Sequence, residues 1–185
     1  MILTQHGINS LSGEFVEIGG HKYRTVTIGN QTWLAENLDC DIPGFNYKTS
    51  SNYPAYGRYY LARNIYSNSQ NLITICPSGW RFPTNEDISL LISAAGGTGY
   101  NARKLISTED GGTDILGLSL RLGGIFDDSS YPTNVSIAYI TGPMATYGPS
   151  FLRANNDSGY LDFWSRYGYN ADNSYFPIRL VKDAV

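Results

Sequence analysis

The stretch "CPSGWRFPTNEDISLLISAAGG" (residues 76–97) carries the strongest local structural signal in the chain. Thr84 is a good N-cap, and Asp87, three positions on, places a carboxylate where a capping box needs one. An acidic residue there also suits the positive end of the helix dipole. The apolar residues that follow at helical spacing are Ile88, Leu91, Ile92 and Ala95. The pattern predicts a helix over residues 85–95, ended by the glycine pair that follows.

On the N-terminal side of this helix, the sequence predicts a β-hairpin and then a strand that runs into a helix. Two β-rich runs, Phe15–Ile18 and residues 23–28, flank Gly19-Gly20, which is a good hairpin signal. "GRYYLARNI" (residues 57–65) begins with strand-like aromatic residues and passes into a short helix. Residues 41–56 are rich in Pro, Ser and Asn and predict a loop.

On the C-terminal side the chain becomes rich in loops and short strands. The alternation in "LGLSLRL" (residues 116–122) predicts a half-buried strand. Further short strands are predicted over residues 137–140, 151–154 and 176–181, the last interrupted by Pro177. A hairpin, two helical segments and several short antiparallel strands with long loops indicate an α+β domain. This domain is predicted to cover residues 14–185.

Composition narrows the class of function. Charged residues make up only 16% of the chain, so Tyr (15 residues), Gly (20 residues), Ser and Asn must cover much of the surface. Such a surface is typical of binding loops. The net charge of -3 and the scattered Lys and Arg argue against nucleic-acid binding. No apolar run reaches the roughly 18 residues of a membrane helix, and the leader, residues 1–13, does not resemble a signal peptide.

The last 31 residues change character abruptly. Of the 21 residues from 155 to 175, 16 are Asn, Asp, Ser, Gly or Tyr. The sequence "FPIRLVKD" (residues 176–183) then reads as a buried closing strand with Ile178, Leu180 and Phe176 facing the core. The earlier segment offers so little to a core that we expect it to lie at the surface, with the border near residues 175 and 176.

Six blocks along the chain share a likeness to one family. The blocks are "IGNQTWLAENLD", "YGRYYLARNI", "CPSGWRFPTNEDISLL", "GGTGYNARKLIS", "GTDILGLSLRLGG" and "FPIRLVKD". In this order they resemble the Fibrobacter succinogenes major paralogous domain, over residues 28–183. The resemblance implies a C-type-lectin-like fold. It also implies an origin in a bacterial surface or secreted protein, or in a phage of gut Bacteroidales.

Phage-encoded members of this family resemble the targets of diversity-generating retroelements, which mutate adenines in a C-terminal segment of a gene. Mutated AAC and AAT codons yield Asn, Tyr, Ser, Asp and Gly, the residues that dominate the segment before the closing strand. The resemblance implies a variable binding face over residues 139–175. The residues predicted to contact the ligand are Tyr147, Asn155, Asn156, Asp157, Tyr160, Asp162, Trp164, Tyr167, Tyr169, Asn170, Asp172, Asn173 and Tyr175.

The alternation of side chains between the two faces of a strand supports some of these predicted ligand contacts. Phe163 and Trp164 are adjacent, and adjacent strand residues point to opposite faces, so one of the two rings is predicted to be exposed. Tyr167 and Tyr169 share one face if the backbone is extended. Exposed aromatic side chains are frequent hot spots of binding.

Catalytic and metal-binding chemistry finds little support. His6 and His21 are the only histidines, one in the leader and one in a hairpin. Cys40 and Cys76 could form a disulfide or remain two buried thiols. The formylglycine-generating enzymes share the lectin-like fold but need a cysteine pair late in the chain, where this sequence has none. The sequence therefore predicts no enzyme.

No cofactor is predicted, with calcium left as an alternative. "EDGGTD" (109–114), "FDDSS" (126–130) and "ANNDSG" (154–159) offer oxygen ligands, but without the spacing of a known calcium loop. Asn, Asp and Gly at these places also suit ordinary turns.

The hypothesis is a non-catalytic receptor-binding protein at the tip of a phage tail fibre. It would be made in the cytoplasm and carried on the virion. Its partners would be a host-cell surface protein or glycan and other tail-fibre subunits; a fibre tip is compatible with a homotrimer. The alternative is a bacterial cell-surface or fimbria-associated domain without a diversified site.

Overall fold

The computed structural model describes residues 14–51, 54–67, 69–127, 132–134, 136–145, 148–165 and 173–184. The strands are β1 (Phe15–Ile18), β2 (His21–Ile28), β3 (Gln31–Leu34), β4 (Tyr47–Thr49), β5 (Arg58–Leu61), β6 (Phe126–Asp127), β7 (Ile137–Ala145), β8 (Gly148–Asn155), β9 (Leu161–Ser165), β10 (Ser174–Pro177) and β11 (Val181–Asp183). The α-helices are α1 (Ala62–Ser67), α2 (Ser69–Ile73) and α3 (Asn85–Ala94). Single 3-10 turns lie at Pro54–Tyr56, Ala102–Lys104 and Thr108–Asp110. In the described part of the chain, no helix is long and apolar enough to cross a membrane.

The strands form three sheets whose named pairs are all antiparallel. Their orders are β1-β2-β3-β11, β4-β5-β10-β6 and β7-β8-β9. The third sheet packs against α3, with Ile88, Leu91 and Ile92 of the helix in one core cluster with Ile140 and Leu152 of the sheet. The architecture is therefore α+β, as the sequence predicts, with mostly antiparallel sheets.

The N-terminal hairpin is confirmed. β1 pairs with β2 in a register that places Ile18 opposite His21. The two residues between them are Gly19 (φ 57) and Gly20 (φ 79), both left-handed, as a two-residue hairpin turn requires. A side chain at Gly19 would also collide with Cys40, because an added Cβ would lie 2.8 Å from the Cys40 sulfur.

The helix predicted after Thr84 is confirmed, with a complete capping box. The Thr84 hydroxyl accepts from the backbone N–H of Asp87 at 3.2 Å, and Asp87 Oδ2 accepts from the backbone N–H of Thr84 at 2.6 Å. The Asp87 carboxylate also accepts from Arg81 and from Gln31 Nε2, at 2.8 Å for the latter. Gln31 in turn accepts from the Trp33 indole at 3.1 Å. The cap thus fastens the helix to β3.

The strand predicted over residues 116–122 is wrong. Leu118 and Leu120 are fully buried, but this stretch is irregular apart from an isolated bridge between Ile106 and Leu120. Ser119 has a left-handed backbone (φ 53). The carbonyls of Leu118 and Ser119 accept hydrogen bonds from the buried Arg179 guanidinium in place of a strand ladder.

The single closing strand over residues 176–183 is also wrong, although its burial is right. The chain leaves the second sheet at Pro177, which has no N–H to continue a ladder, and joins the first sheet at Val181 through a pairing with Trp33. Ile178, Arg179 and Leu180 between these strands are fully buried. The loop predicted over residues 41–56 likewise contains the short strand β4.

Candidate ligand-binding surface

The third sheet divides the predicted site residues between its two ends. At one end, which we call the tip end, Ala145 pairs with Gly148 and Ser150 pairs with Ser165. The β7–β8 connection and the segment that follows β9 therefore both leave the sheet at the tip end. Five predicted residues belong to these connections and lie outside the described residues: Tyr147, Tyr167, Tyr169, Asn170 and Asp172.

The turn between β8 and β9 lies at the opposite end, which we call the turn end. Asn155, Asn156, Asp157 and Tyr160 are located here. The eight residues of β8 separate the two ends by roughly 25 Å. The four turn-end residues therefore lie about one strand length from the tip end of the sheet.

Two of the turn-end residues are held by the scaffold. Asn155 Oδ1 accepts from the backbone N–H of Ser158 at 2.9 Å, as in an Asx turn. Asn156 Nδ2 donates to the carbonyl of Asp110 at 3.2 Å, and its backbone N–H donates to Ser136 at 3.0 Å. These side chains stabilise the turn, whereas Asp157 is exposed.

Tyr160 forms an exposed aromatic pair with a residue that the sequence analysis missed. Its ring lies at 87° to that of Tyr100, with the ring centroids 5.8 Å apart. Tyr100 is 83% exposed and Tyr160 is 42% exposed. The signal available in the sequence was an isolated Tyr among glycines in "GGTGY", but its pairing depends on the bridge between Gly99 and Leu161.

Along β9 the predicted residues differ in whether the side chain is exposed or is already bound within the protein. The Asp162 carboxylate accepts from Arg153 at 3.0 and 2.6 Å, which raises the pKa of Arg153 and engages both oxygens. Phe163 is 40% exposed, which confirms that one of the two adjacent rings reaches the surface. The backbone of Trp164 pairs with Phe151, and its side chain lies outside the described residues.

The segment returns to the scaffold at β10. Asn173 is exposed in the turn before the strand. Tyr175 is half-buried and pairs with Leu61 on one side and Phe126 on the other. The Lys48 ammonium lies 4.7 Å from the centroid of the Tyr175 ring, a cation–π distance. Tyr175 therefore belongs to the rim of the scaffold.

Burial changes at the expected border. Among the side chains described from 155 to 163 and from 173 to 175, only Leu161 and Ser174 are buried. Every residue from 176 to 181 is buried. The prediction of a surface segment followed by a buried one is confirmed for the described residues.

The described histidine and the two cysteines give little support for covalent chemistry. His21 is exposed and stacks on Tyr23, with ring centroids 6.3 Å apart, while His6 lies outside the described residues. Cys40 and Cys76 are free thiols. Burial raises the pKa of both, to about 12 for Cys76, so neither is a thiolate at neutral pH.

The oxygen-rich stretches 109–114 and 154–159 contain turns, whereas Phe126 and Asp127 of the stretch 126–130 form β6. Asp110 accepts from Arg121 Nε at 3.0 Å and from the backbone N–H of Leu122 at 2.8 Å. Asp114 accepts from Ser119. Within the described ranges, no group of three or more His, Cys, Asp or Glu residues is placed to hold a metal ion.

Comparison with known proteins gives one match. A family model described as the Fibrobacter succinogenes major domain matches residues 26–182. Neither the curated proteins nor the solved structures contain a match to the chain.

Proposed function

The chain belongs to the Fibrobacter succinogenes major domain family, and on this premise we propose that it is a non-catalytic ligand-binding protein. In this proposal the domain has a C-type-lectin-like fold and forms the tip of a phage tail fibre. Its C-terminal polar segment contacts a protein or glycan on the host cell and is diversified by a retroelement. The α+β architecture with mostly antiparallel sheets and long loops supports the fold assignment.

The observation that carries this proposal is the change of burial between residues 175 and 176. In the segment rich in Tyr, Asn, Asp, Ser and Gly, only Leu161 and Ser174 are buried among the side chains that the structure describes. The next six residues are buried without exception. A diversified segment has to tolerate substitution, and only positions outside the core do so at small cost in stability.

The proposed mechanism is non-covalent recognition centred on the tip end. The seven residues between Ser165 and Asn173 include Tyr167, Tyr169, Asn170 and Asp172. Tyr rings supply contact area at low conformational cost, and Asn and Asp supply hydrogen bonds. Phe163, 40% exposed on β9, adds apolar area beside them. Several copies on one fibre would raise the avidity of a weak single site.

A specific observation favours the second candidate, a bacterial surface domain without a diversified site. Asn155, Asn156 and Asp162 all make intramolecular hydrogen bonds through their side chains. Random replacement of these residues would loosen the turn end. If they do not vary, diversification is confined to the tip end or does not occur.

Adsorption to host cells tests the binding proposal. Replacing Trp164, Tyr167 and Tyr169 together with Ala is expected to abolish adsorption, measured on a variant that thermal unfolding shows to be folded. Tyr47→Ala is the matched control, because Tyr47 is also an exposed tyrosine (41%) but lies on β4. Undiminished adsorption by the folded triple variant would contradict the proposal.

The surroundings of the gene test diversification separately. We expect a reverse-transcriptase gene and a near-copy of the 3′ end of this gene that differs only at adenines. Substitutions spread evenly along the chain in related isolates would contradict diversification while leaving the binding proposal intact.

A further inference from the structure

Two adjoining clefts open beside the N-terminal hairpin, in a region that the proposed site does not use. Their volumes are about 440 and 230 Å3, and Glu36, Asn37 and Ala55 line both. The larger cleft falls within the roughly 300–1,000 Å3 that small-molecule sites occupy. We call the two clefts together the polar groove. Its principal polar residues, all in the larger cleft, are Arg24, Glu36, Thr108, Glu109, Asp114 and Arg121.

One wall of the polar groove has a fixed and unusual backbone. Asp114 (φ 44) and Ser119 (φ 53) are both left-handed without being glycine. The Ser119 backbone N–H and hydroxyl donate to the two Asp114 carboxylate oxygens at 2.8 and 2.6 Å. Arg24 Nη2 then donates to the Ser119 hydroxyl at 2.9 Å. These bonds hold the Arg24 guanidinium against the wall.

The buried Arg179 fixes the same wall and the floor from beneath. Its guanidinium donates to the Ser119 carbonyl at 2.8 Å, and its Nε donates to Asn37 Oδ1 at 2.9 Å. Asn37 Nδ2 donates to the Tyr56 carbonyl at 2.9 Å. The shape of the groove is therefore set by the core, so that a ligand would not need to order it.

The charges of the polar groove are mixed in sign. Arg24, Glu36, Glu109, Asp114 and Arg121 all line it, but Arg121 is paired with Glu109 and Asp110, and both oxygens of Asp114 accept from Ser119. The Arg24 guanidinium donates to the Ser119 hydroxyl, and the Arg24 backbone N–H donates to Glu36 Oε2 at 2.8 Å. An ionic ligand of either sign would meet a like charge in this space. A hydroxyl group donates to a carboxylate and accepts from a guanidinium equally well, so it suits both.

We propose that the polar groove binds a neutral, hydroxyl-rich ligand, namely one or two rings of a saccharide. Arg24 donates to ring hydroxyl oxygens, Glu36 accepts from hydroxyl groups, and the exposed Thr108 hydroxyl does either. The exposed Ala55 provides a small apolar contact for the ring carbons. This site is separate from the C-terminal segment, so the protein has one fixed site for a glycan in addition to the proposed receptor-binding segment.

An array of neutral, uronic-acid-containing and sulfated oligosaccharides tests the proposal with the full chain. We expect binding to neutral members, weakened about tenfold or more by Arg24→Gln and by Glu36→Gln, because each removes charge-assisted hydrogen bonds. Ala55→Tyr, which fills the part shared by both clefts, should abolish this binding. Ala94→Tyr is its control, since Ala94 is exposed on α3. The Trp164, Tyr167 and Tyr169 triple variant should bind the array as the wild type does.

Three results would overturn the proposal, each judged on variants whose melting temperature shows that they are folded. These are no binding to any neutral oligosaccharide, binding only to acidic ones, or binding that survives Ala55→Tyr. Loss of binding in the triple variant would assign the glycan to the C-terminal segment instead and would also overturn it. None of these outcomes depends on adsorption to host cells, so the proposed function is tested independently.

Discussion

Residues 155–175 and residues 176–181 adjoin in the chain but contribute to the fold in opposite ways. In the first segment, two of the side chains described are buried, Leu161 and Ser174. The second segment reaches all three core clusters, through Phe176 in one, Ile178 and Leu180 in another and Val181 in the third. Six residues therefore join the three parts of the core, whereas the described residues of the longer segment before them add one apolar side chain to it, Leu161.

The comparison shows that a position occupied by a polar residue cannot always be replaced without loss of stability. The second segment contains the most deeply buried charge described in the protein, Arg179. Burial lowers the pKa of its guanidinium, while the carboxylates of Asp114 and Glu36 raise it. The side chain remains satisfied because it donates to three carbonyls and to Asn37. The two segments differ in whether their polar side chains form hydrogen bonds inside the core.

Removing Arg179 should give the largest effect. Arg179→Ala leaves four buried acceptors unpaired, each costing about 1–3 kcal/mol, and opens a cavity. We expect the free energy of unfolding to fall by about 5 kcal/mol or more, measured by urea denaturation. Asp162→Ala is the control from the polar segment, because the partly exposed pair of Arg153 and Asp162 contributes up to about 1 kcal/mol. Equal losses of unfolding free energy in the two variants would contradict the proposed difference between the two segments.

The border itself can be tested with two neighbouring aromatic residues. Phe176 is fully buried and lies 4.6 Å from Phe151 between ring centroids, so Phe176→Ala should cost about 3–5 kcal/mol. Tyr175→Ala should cost about 1 kcal/mol, because the ring is half-buried and loses mainly its contact with Lys48. Paired urea titrations measure both values. A Tyr175 variant as unstable as the Phe176 variant would move the border toward the N-terminus.

The buried Asp87 carboxylate makes the stability of the fold depend on pH. Burial alone would raise the pKa of Asp87, but hydrogen bonds from Arg81 and Thr84 outweigh it and lower the pKa below the ordinary value. A lowered folded-state pKa means that the stabilisation is complete above the unfolded pKa, about 3.9, and is lost as the pH falls through the folded pKa. Asp87→Asn should cost about 1–3 kcal/mol at pH 7.

The pH dependence distinguishes this charge effect from a loss of packing. Between pH 5 and pH 2, the wild type should lose more stability than Asp87→Asn, because the variant has no carboxylate to protonate at this site. Urea titrations across that range measure the difference. Parallel pH profiles would show that the Asp87 charge contributes nothing beyond the shape of its side chain.

The sequence predicts the local elements that depend on local chemistry. The hairpin follows from Gly19-Gly20, the helix from Thr84 and Asp87, and the surface segment from its composition. The strand predicted over residues 116–122 fails because its apolar alternation is real but its carbonyls bind a distant arginine, Arg179. No periodicity in a short window reveals a partner 60 residues away.

The same limit applies to the candidate site. Composition separates most of the described residues of 155–175 from the core, but it cannot tell that the β8–β9 turn lies at the opposite end of the sheet from the tip end. That arrangement depends on the antiparallel register, in which Ala154 pairs with Leu161 and Ser150 with Ser165. Tyr100 and the polar groove were missed for a similar reason, because both are formed by residues far apart in the sequence.

The smallest expected effect divides the polar segment itself. Asn155→Ala removes the acceptor for the Ser158 N–H and should cost about 1 kcal/mol. Asp157→Ala, two positions on, alters an exposed side chain and should change stability by no more than about 0.5 kcal/mol. Thermal unfolding of both variants, with Asn155→Asp as a conservative replacement that keeps the acceptor, measures the difference. If Asn155→Ala and Asp157→Ala are equally neutral, the hydrogen bond of Asn155 does not restrict variation at the turn end. If only Asn155→Ala is costly, variation compatible with folding is restricted to the positions whose side chains make no bond to the scaffold.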